Sequence, residues 1–457
     1  MVTPFPGDII ILGFTGSIGS GCTEIAKGIS DHYKYKYFCL SDILKKVAAD
    51  SGNFNPTCDD LQGLGNSLRG QNKNSFLVEK LFEKIGENGN PINSFRGIII
   101  DSIRNDGEIL TLRQFPFFFL FSIHAEEEIR LERTLKNKKF KTEEEFRKAD
   151  LRDQAEDISH GQQVKKCNYF SDIIINNNKN FPKRAPQTKK DFIDGIHKKY
   201  ISLIELNKEG QFLAPENLPS IDESFMTMAY AESQRSSCIK RKVGAIIASI
   251  ESIDTQGIES INKNTFVLSS GHNEVPFGST PCILHPEYER CFRDFLQEEH
   301  GKKIYFCPTC GRKINLPPIK CKFCNQEFLG GFLKVCPQCK NEIEIKYTCE
   351  CKSEIFKEFL LSGGKLLDMC KALHAEENAL LHLTKIGIQN SENLVLYTTT
   401  FPCNLCANKI VAAGIKKVVY ADPYSVKDAK KILETGKVET KKFQGIKSSA
   451  FFRFYNR

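Results

Sequence analysis

The chain has 457 residues, 64 of them basic and 56 acidic, with 18 cysteines and apolar residues at 40% of positions. This length favours two domains with an insertion over one ordinary domain. The net charge of +8 suits phosphorylated ligands but does not demand nucleic acid. We expect neither a signal peptide nor a membrane span, because no basic region precedes the first apolar run and no apolar run approaches about 18 residues. A cytoplasmic location follows as an expectation.

The first part of the chain alternates apolar runs of strand length with amphipathic helical patterns. Helices are predicted over Glu126–Lys136 and Glu143–Ala155, and near-continuous apolar runs are typical of strands buried on both faces of a parallel sheet. The runs read DIIILGFT, YKYFCL, RGIIIDSI, FFFLFSI and SDIIINN. This pattern predicts a doubly wound α/β domain over residues 1–210, with a kinase-like parallel sheet.

A loop that resembles a phosphate-binding P-loop follows the first strand and opens a helix. Its sequence GSIGSGCT has the spacing G-x-x-x-x-G-K-[S/T], with Cys22 in place of the lysine. Backbone amides could still bind phosphates, but the cationic contact is missing. Nucleotide binding and a purely structural role both remain open. The candidate nucleotide-binding residues are Gly16, Ser17, Ile18, Gly19, Ser20, Gly21, Cys22 and Thr23.

Three further features of this domain fit a kinase-like interpretation. Asp101 ends a predicted strand and is a candidate second acid for a metal ion near the loop. Arg147, Arg152 and Asp153 resemble the lid of a kinase. The segment FLAPENLPS, at 212–220, carries two prolines and is the predicted linker to a second α/β domain over residues 220–457.

Two short strings in the second domain carry most of the chemistry. LHAEENALLHL places His374 and Glu376 at the start of one helix, and TTFPCNLCANKI places Cys403 and Cys406 at the start of another. An imidazole and two thiolates make three zinc ligands and leave the fourth position for water, as in catalytic sites. The pattern H-x-E followed by P-C-x-x-C is the signature of zinc deaminases, in which the glutamate is the general acid and base.

The alternative for this motif is a core histidine and half of a structural zinc site. Either string alone would leave that alternative open. Both strings occur in the expected order, each before a helical pattern, with the predicted strand NLVLYTTT between them. This arrangement favours the catalytic zinc site, with Glu376 as the catalytic residue.

Four cysteine pairs interrupt the second domain. Their spacing fits two zinc ribbons with four thiolates each, and it predicts an inserted double ribbon over residues 300–355. Metal binding would supply the folding energy of such a small insertion, and contact with nucleic acid or a partner chain is the alternative role. The predicted structural zinc ligands are Cys307, Cys310, Cys321, Cys324, Cys336, Cys339, Cys349 and Cys351.

The second domain resembles the deoxycytidylate deaminase family over about Ser220–Val438, apart from the insertion. The strings SQRSSCIKRKVGAIIAS and SSGHNEVPFGSTPC carry the resemblance together with the zinc motifs. It implies that Asn273 contacts the sugar or phosphate of the substrate and that Glu274 and Pro276 shape the pocket. It also makes Tyr424 a candidate to stack on the base, with core packing as the alternative. The resemblance also implies a further structural zinc site at Cys282, His285 and Cys291.

The whole chain resembles one group of bacterial anti-phage dCTP deaminases, in which a P-loop domain is fused to the deaminase. The strings DSIRNDGEI, RKADLRDQAED and GQQVKKCNYFSDIIINN carry this resemblance. It implies deamination of dCTP or dCMP to the uracil nucleotide with release of ammonia. It also implies control by an inhibitory RNA or a phage-derived trigger, and a homo-oligomer. A housekeeping dCMP deaminase and a nucleic-acid cytidine editor or binder are the alternatives.

Overall fold

A computed structural model of the chain contains two α/β domains in contact with each other, in agreement with the predicted fold class. None of the helices in the part described is both long and apolar enough to cross a membrane. The structure describes residues 7–87, 94–154, 160–179, 186–211, 218–251, 264–285, 290–295, 305–306, 313–314, 319–328, 335–342, 347–348, 354–355, 370–387, 393–423 and 427–455.

The N-terminal domain is built on five parallel strands, which lie at the five predicted apolar runs. In space their order is β2-β3-β1-β4-β5, and a short antiparallel strand from the C-terminal end of the chain, Gly445–Ile446, adds to the edge at β5. The strands are β1 (Ile10–Gly16), β2 (Tyr35–Cys39), β3 (Gly97–Asp101), β4 (Phe118–His124) and β5 (Ile173–Asn176).

Helices cover both faces of this sheet, as expected for strands that are apolar on both sides. Apolar residues of α1, α9 and α10 pack on one face, and those of α2, α4 and α5 pack on the other. The helices are α1 (Cys22–Tyr33), α2 (Leu40–Asp50), α3 (Cys58–Gln71), α4 (Phe76–Glu87), α5 (Asp106–Leu112), α6 (Glu127–Lys136), α7 (Glu143–Gln154), α8 (Val164–Phe170), α9 (Pro186–Ile196) and α10 (Ser202–Glu209).

The C-terminal domain has a five-stranded mixed sheet between helices. Its order in space is β7-β6-β14-β15-β16, and the described residues of the inserted region contain six two-residue strands. The elements are α11 (Ile221–Ser233), β6 (Gly244–Glu251), β7 (Asn264–His272), β8 (Tyr305–Phe306), β9 (Lys313–Ile314), β10 (Ile319–Lys320), β11 (Glu327–Phe328), β12 (Tyr347–Thr348), β13 (Glu354–Ile355), α12 (Ala375–Lys385), β14 (Leu394–Thr400), α13 (Asn404–Ala412), β15 (Lys417–Asp422), α14 (Lys427–Thr435), β16 (Glu439–Lys442), β17 (Gly445–Ile446) and α15 (Ser448–Tyr455).

The end of the chain returns to the first domain. Strand β17 pairs with β5, and α15 packs Phe454 against Phe119 with ring centroids 4.9 Å apart. The side chain of Arg453 donates a hydrogen bond to the carbonyl of Phe118. These last residues belong to the predicted second domain in sequence and complete the first sheet in space. The exact domain boundaries stay predictions, and most of the predicted linker lies outside the described residues.

Candidate active site and metal centres

The structure brings His374, Cys403 and Cys406 together. The Nδ1 atom of His374 lies 3.2 Å from Sγ of Cys403 and 3.3 Å from Sγ of Cys406. The three ligand atoms all lie within 4.8 Å of one another. Two sulfurs and one imidazole nitrogen at this spacing match the donor set of a catalytic zinc site with three protein ligands.

Helix starts position all three side chains. His374 is the N-cap of α12, where Glu377 closes a capping box. Cys403 is the N-cap of α13, and Cys406 lies in the first turn of that helix. The segment between β14 and α13 is held by a 2.9 Å hydrogen bond from the backbone amide of Phe401 to the carbonyl of Asp422. Rigid elements on both sides therefore fix the geometry of the ligands.

The buried carboxylate of Glu376 lies beside the ligands. One oxygen is 3.7 Å from Sγ of Cys406, and only 4% of the residue is exposed. Burial raises the pKa of this carboxyl, which favours its protonated form. A hydrogen bond from Cys406 stabilises the thiolate of Cys403, so the pKa of Cys403 falls to about 4 and the pKa of Cys406 rises. The carboxyl of Glu376, which can hold a proton, therefore lies close to the thiolate of Cys403, which can bind a metal ion.

A cavity of about 100 Å³ opens over this cluster. His374, Glu376 and Cys403 line this cavity together with Arg241 and Arg293. The sequence analysis missed both arginines as site residues. Arg241 lies in the quoted string SQRSSCIKRKVGAIIAS, whose basic residues were a signal for an anionic ligand, whereas no cluster of basic residues marks Arg293.

Asn273 lines the same cavity, but its side chain is used for local structure. Its Nδ2 atom donates to the carbonyl of Arg241 at 2.8 Å, and its Oδ1 atom accepts from the amide of Val243 at 2.7 Å. Asn273 therefore fixes the backbone that leads into β6, and a substrate contact by this residue stays a prediction. Nearby, Glu274 accepts a hydrogen bond from the hydroxyl of Ser237. Tyr424 lies outside the described residues.

Four of the eight predicted ribbon cysteines form one cluster. Sγ of Cys321 is 3.7 Å from that of Cys339, and Sγ of Cys324 is 3.6 Å from that of Cys336. Four thiolates within 4.8 Å fit a closed structural zinc site. The two inner pairs of the sequence therefore meet each other. The outer four lie outside the described residues: Cys307, Cys310, Cys349 and Cys351.

A further zinc site at Cys282, His285 and Cys291 does not form among the described residues. Cys282 and Cys291 line a second, small cavity together with Cys238 and Cys370. In the part of the chain that the structure describes, only the two groups above hold three or more ligand atoms within 4.8 Å.

The P-loop-like segment Gly16–Thr23 joins β1 to α1, as predicted. Asp101 at the end of β3 accepts hydrogen bonds from Thr23 at 2.6 Å, from Tyr37 at 2.8 Å and from the Cys22 thiol at 3.2 Å. Burial, followed by the charge of Asp101, raises the pKa of Cys22 well above its usual value. Cys22 is therefore a neutral hydrogen-bond donor that does not replace the cation of a lysine.

Two glycines of this loop have left-handed backbone conformations, with φ of 82° at Gly19 and 85° at Gly21. A Cβ atom at Gly21 would lie 2.4 Å from Nδ2 of Asn177. That nitrogen donates a 2.7 Å hydrogen bond to the carbonyl of Ser20. Gly21 is thus required by the loop's own packing, whether or not a phosphate binds there.

Comparison with known proteins agrees with this geometry. Residues 219–422 match the family described as the cytidine and deoxycytidylate deaminase zinc-binding region. The chain is 26% identical over 331 residues to the deoxycytidylate deaminase of Schizosaccharomyces pombe, covering 72% of this chain and 70% of that protein. It is 26% identical over 238 residues to the Saccharomyces cerevisiae deoxycytidylate deaminase, covering 52% of this chain and 49% of that protein. Residues 219–422 are therefore similar to the zinc-binding region of cytidine and deoxycytidylate deaminases.

Solved structures align with parts of the chain at low similarity. A cyanophage S-TIM5 dCMP deaminase in complex with dCMP and dUMP aligns with 51% of this chain and all of that chain, at 22% identity and a TM-score of 0.25. A shikimate kinase from Acinetobacter baumannii aligns with 43% of this chain and 98% of that chain, at 11% identity and a TM-score of 0.27.

Proposed function

We propose that the protein hydrolytically deaminates deoxycytidine nucleotides, dCMP or dCTP, to the uracil nucleotide and ammonia. The observation that carries this proposal is the buried carboxylate of Glu376 beside three zinc-type ligands, in a cavity that two arginines also line. A closed structural metal site would have neither the open face nor the proton-holding group.

Zinc held by His374, Cys403 and Cys406 would supply a nucleophile near neutral pH, because it lowers the pKa of water that it binds to about 7. The proton transfers are made by a residue of the chain. Glu376 takes the proton released as C4 of cytosine is attacked and gives it to the departing amine. Its raised pKa suits a group that must hold and then release a proton. Water is consumed, the bond from C4 to the exocyclic nitrogen breaks, and a carbonyl replaces it.

The arginines supply the link to a nucleotide. Arg241 and Arg293 line the cavity, and a guanidinium group can contact a substrate phosphate in a two-point geometry. A cavity that recognised a free nucleoside would have no use for two permanent positive charges. We propose that these residues select the phosphorylated substrate.

We further propose that the reaction depletes dCTP in defence against phage, under control of the N-terminal domain. The fusion of the deaminase to a degenerate P-loop domain supports this role over a housekeeping dCMP deaminase. A nucleic-acid editor is the second alternative, and the basic net charge is its main support.

Ammonia release from dCTP, dCMP, CTP, deoxycytidine and single-stranded DNA separates these functions. We expect turnover of dCTP or dCMP and none of deoxycytidine or DNA. Turnover of DNA alone would overturn the proposal in favour of an editor, and no turnover of any cytosine compound by zinc-loaded protein would overturn it altogether.

A further inference from the structure

An ion pair joins the two helices that carry the zinc-type ligands. Glu377 on α12 lies three residues after His374, and Lys409 on α13 lies three residues after Cys406. The ammonium group of Lys409 donates a hydrogen bond to Oε1 of Glu377. Because residues three positions apart are neighbours on a helix surface, each charge lies beside the ligand of its own helix.

Glu377 also contacts the backbone of a ligand residue. Its Oε2 atom accepts a 3.4 Å hydrogen bond from the backbone amide of His374, which is part of the capping box at the start of α12. The two oxygens of one carboxylate therefore have different partners. Oε2 holds the residue that supplies the imidazole, and Oε1 holds the helix that supplies Cys406.

Both charges lie at favourable positions in their helices. Glu377 is in the first turn of α12 and Lys409 is in the last turn of α13, where the helix dipoles stabilise a negative and a positive charge respectively. The side chain of Glu377 is 21% exposed and that of Lys409 is 44% exposed. Solvent and salt screen such a pair in part, so its attraction should decrease as the ionic strength rises.

With a zinc ion bound, these contacts would close a ring. The metal would join His374 to Cys406 directly, and the ion pair joins the same two residues through Glu377 and Lys409. Contacts that already hold two ligands together lower the entropy cost of binding a metal between them. The ion pair should therefore strengthen metal binding without contact with the metal.

We propose that Glu377 and Lys409 are positioning residues that set the affinity of the active site for zinc. They hold the elements of His374 and Cys406 together, and neither residue lines the cavity over the cluster. Both lie outside the H-x-E and C-x-x-C motifs. This inference rests on the zinc site of the proposed function but not on the identity of the substrate.

Zinc affinity of the full-length protein, measured by equilibrium competition with a chelator, tests the proposal. The zinc of this site is the one that Cys406→Ser lacks, which separates it from the zinc of the inserted cluster. We expect Lys409→Met to raise the dissociation constant for this zinc about tenfold, and Lys409→Arg to keep it within about twofold of the wild type. Lys385→Met, at an exposed lysine of α12, is the matched control and should also stay within about twofold.

The variant Glu377→Gln separates the ion pair from the capping box. Glutamine can accept the hydrogen bond from the amide of His374 as glutamate does, but it carries no charge. We expect Glu377→Gln to weaken zinc binding as much as Lys409→Met, and the double variant to weaken it no further. At about 1 M salt, the difference between the wild type and Lys409→Met should shrink.

Three results would overturn the proposal. Wild-type zinc affinity in Lys409→Met would show that the ion pair does not act on the metal site. The same loss on Lys409→Met in the wild-type and Glu377→Gln backgrounds would show that Lys409 acts without Glu377. A loss in Lys409→Arg as large as that in Lys409→Met would show that the positive charge is not what matters.

The same experiment distinguishes this inference from the proposed function. If Cys406→Ser and the wild type hold the same amount of zinc, the zinc site is wrong and the inference fails with it. If the wild type holds this zinc, the variants weaken it as expected and no cytosine compound is deaminated, the positioning role stands and only the proposed function is contradicted.

Discussion

The side-chain amide of Asn176 donates a 3.0 Å hydrogen bond to the backbone carbonyl of Lys442 and so joins the two sheets of the molecule. Its neighbour Asn177 holds the carbonyl of Ser20 in the P-loop-like segment. Two consecutive residues at the end of β5 therefore contact the loop of one domain and the last strands of the other. These two residues therefore connect the P-loop-like segment directly to the sheet of the C-terminal domain.

Loss of the Asn176 side chain should weaken the contact between the domains. We expect Asn176→Ala to lower the free energy of unfolding by about 1–2 kcal/mol, because the carbonyl of Lys442 loses its donor. Denaturant unfolding of the full chain measures this change. Asn55→Ala, in an exposed turn, is the control and should stay within about 0.5 kcal/mol of the wild type. Equal values for the two variants would show that the hydrogen bond contributes nothing to stability.

The inserted cluster should hold metal independently of the active site. The double variant Cys336→Ser and Cys339→Ser removes two of four thiolates, so we expect it to lose about one zinc per chain. The zinc at His374 should stay, and with it the deamination of free nucleotides. Metal analysis of purified protein measures the stoichiometry, with Cys58→Ser as a control outside both clusters. An unchanged zinc content in the double variant would contradict the ribbon assignment.

Lys442 makes the free energy of unfolding depend on pH in the alkaline range. Burial lowers the pKa of Lys442 to about 8. The positive charge of Lys447 also lowers this pKa, whereas the negative charges of Asp422 and Glu126 raise it. Between about pH 8 and the ordinary lysine pKa, the unfolded chain binds more protons than the native one, so this residue makes stability rise with pH. We expect a contribution of about 1–2 kcal/mol that Lys442→Met removes.

Denaturant unfolding at pH 7 and pH 9.5 measures this effect as the difference between the wild type and Lys442→Met. The difference cancels the titration of the cysteines, which both proteins share. If the two proteins show the same change with pH, Lys442 is not deprotonated on folding in this range.

The sequence predicts those features that depend on residues close together in the chain. The five strands of the first sheet are near-continuous apolar runs, and the ligands of the candidate zinc site sit in two strings of a few residues each. The return of β17 and α15 to the first sheet was not foreseen, because nothing in their sequence says which apolar surface they will cover. The burial of Gln62 and Arg69 on α3 could not be predicted either, because glutamine and arginine side chains are mostly exposed in folded proteins. The hydrogen bond from the Asn273 side chain to the backbone of Arg241 could not be predicted either, because the two residues are about thirty positions apart in the sequence.

Deamination by the variant Glu376→Gln tests the central claim most directly, with zinc content and circular dichroism measured on the same sample. Glu434→Gln, an exposed glutamate on α14, is the matched control. The amide keeps the size of the side chain but cannot carry the proton, so we expect wild-type zinc content, an intact fold and a loss of at least a hundredfold in ammonia release from dCMP or dCTP. Ammonia release by Glu376→Gln at the rate of Glu434→Gln would contradict the account.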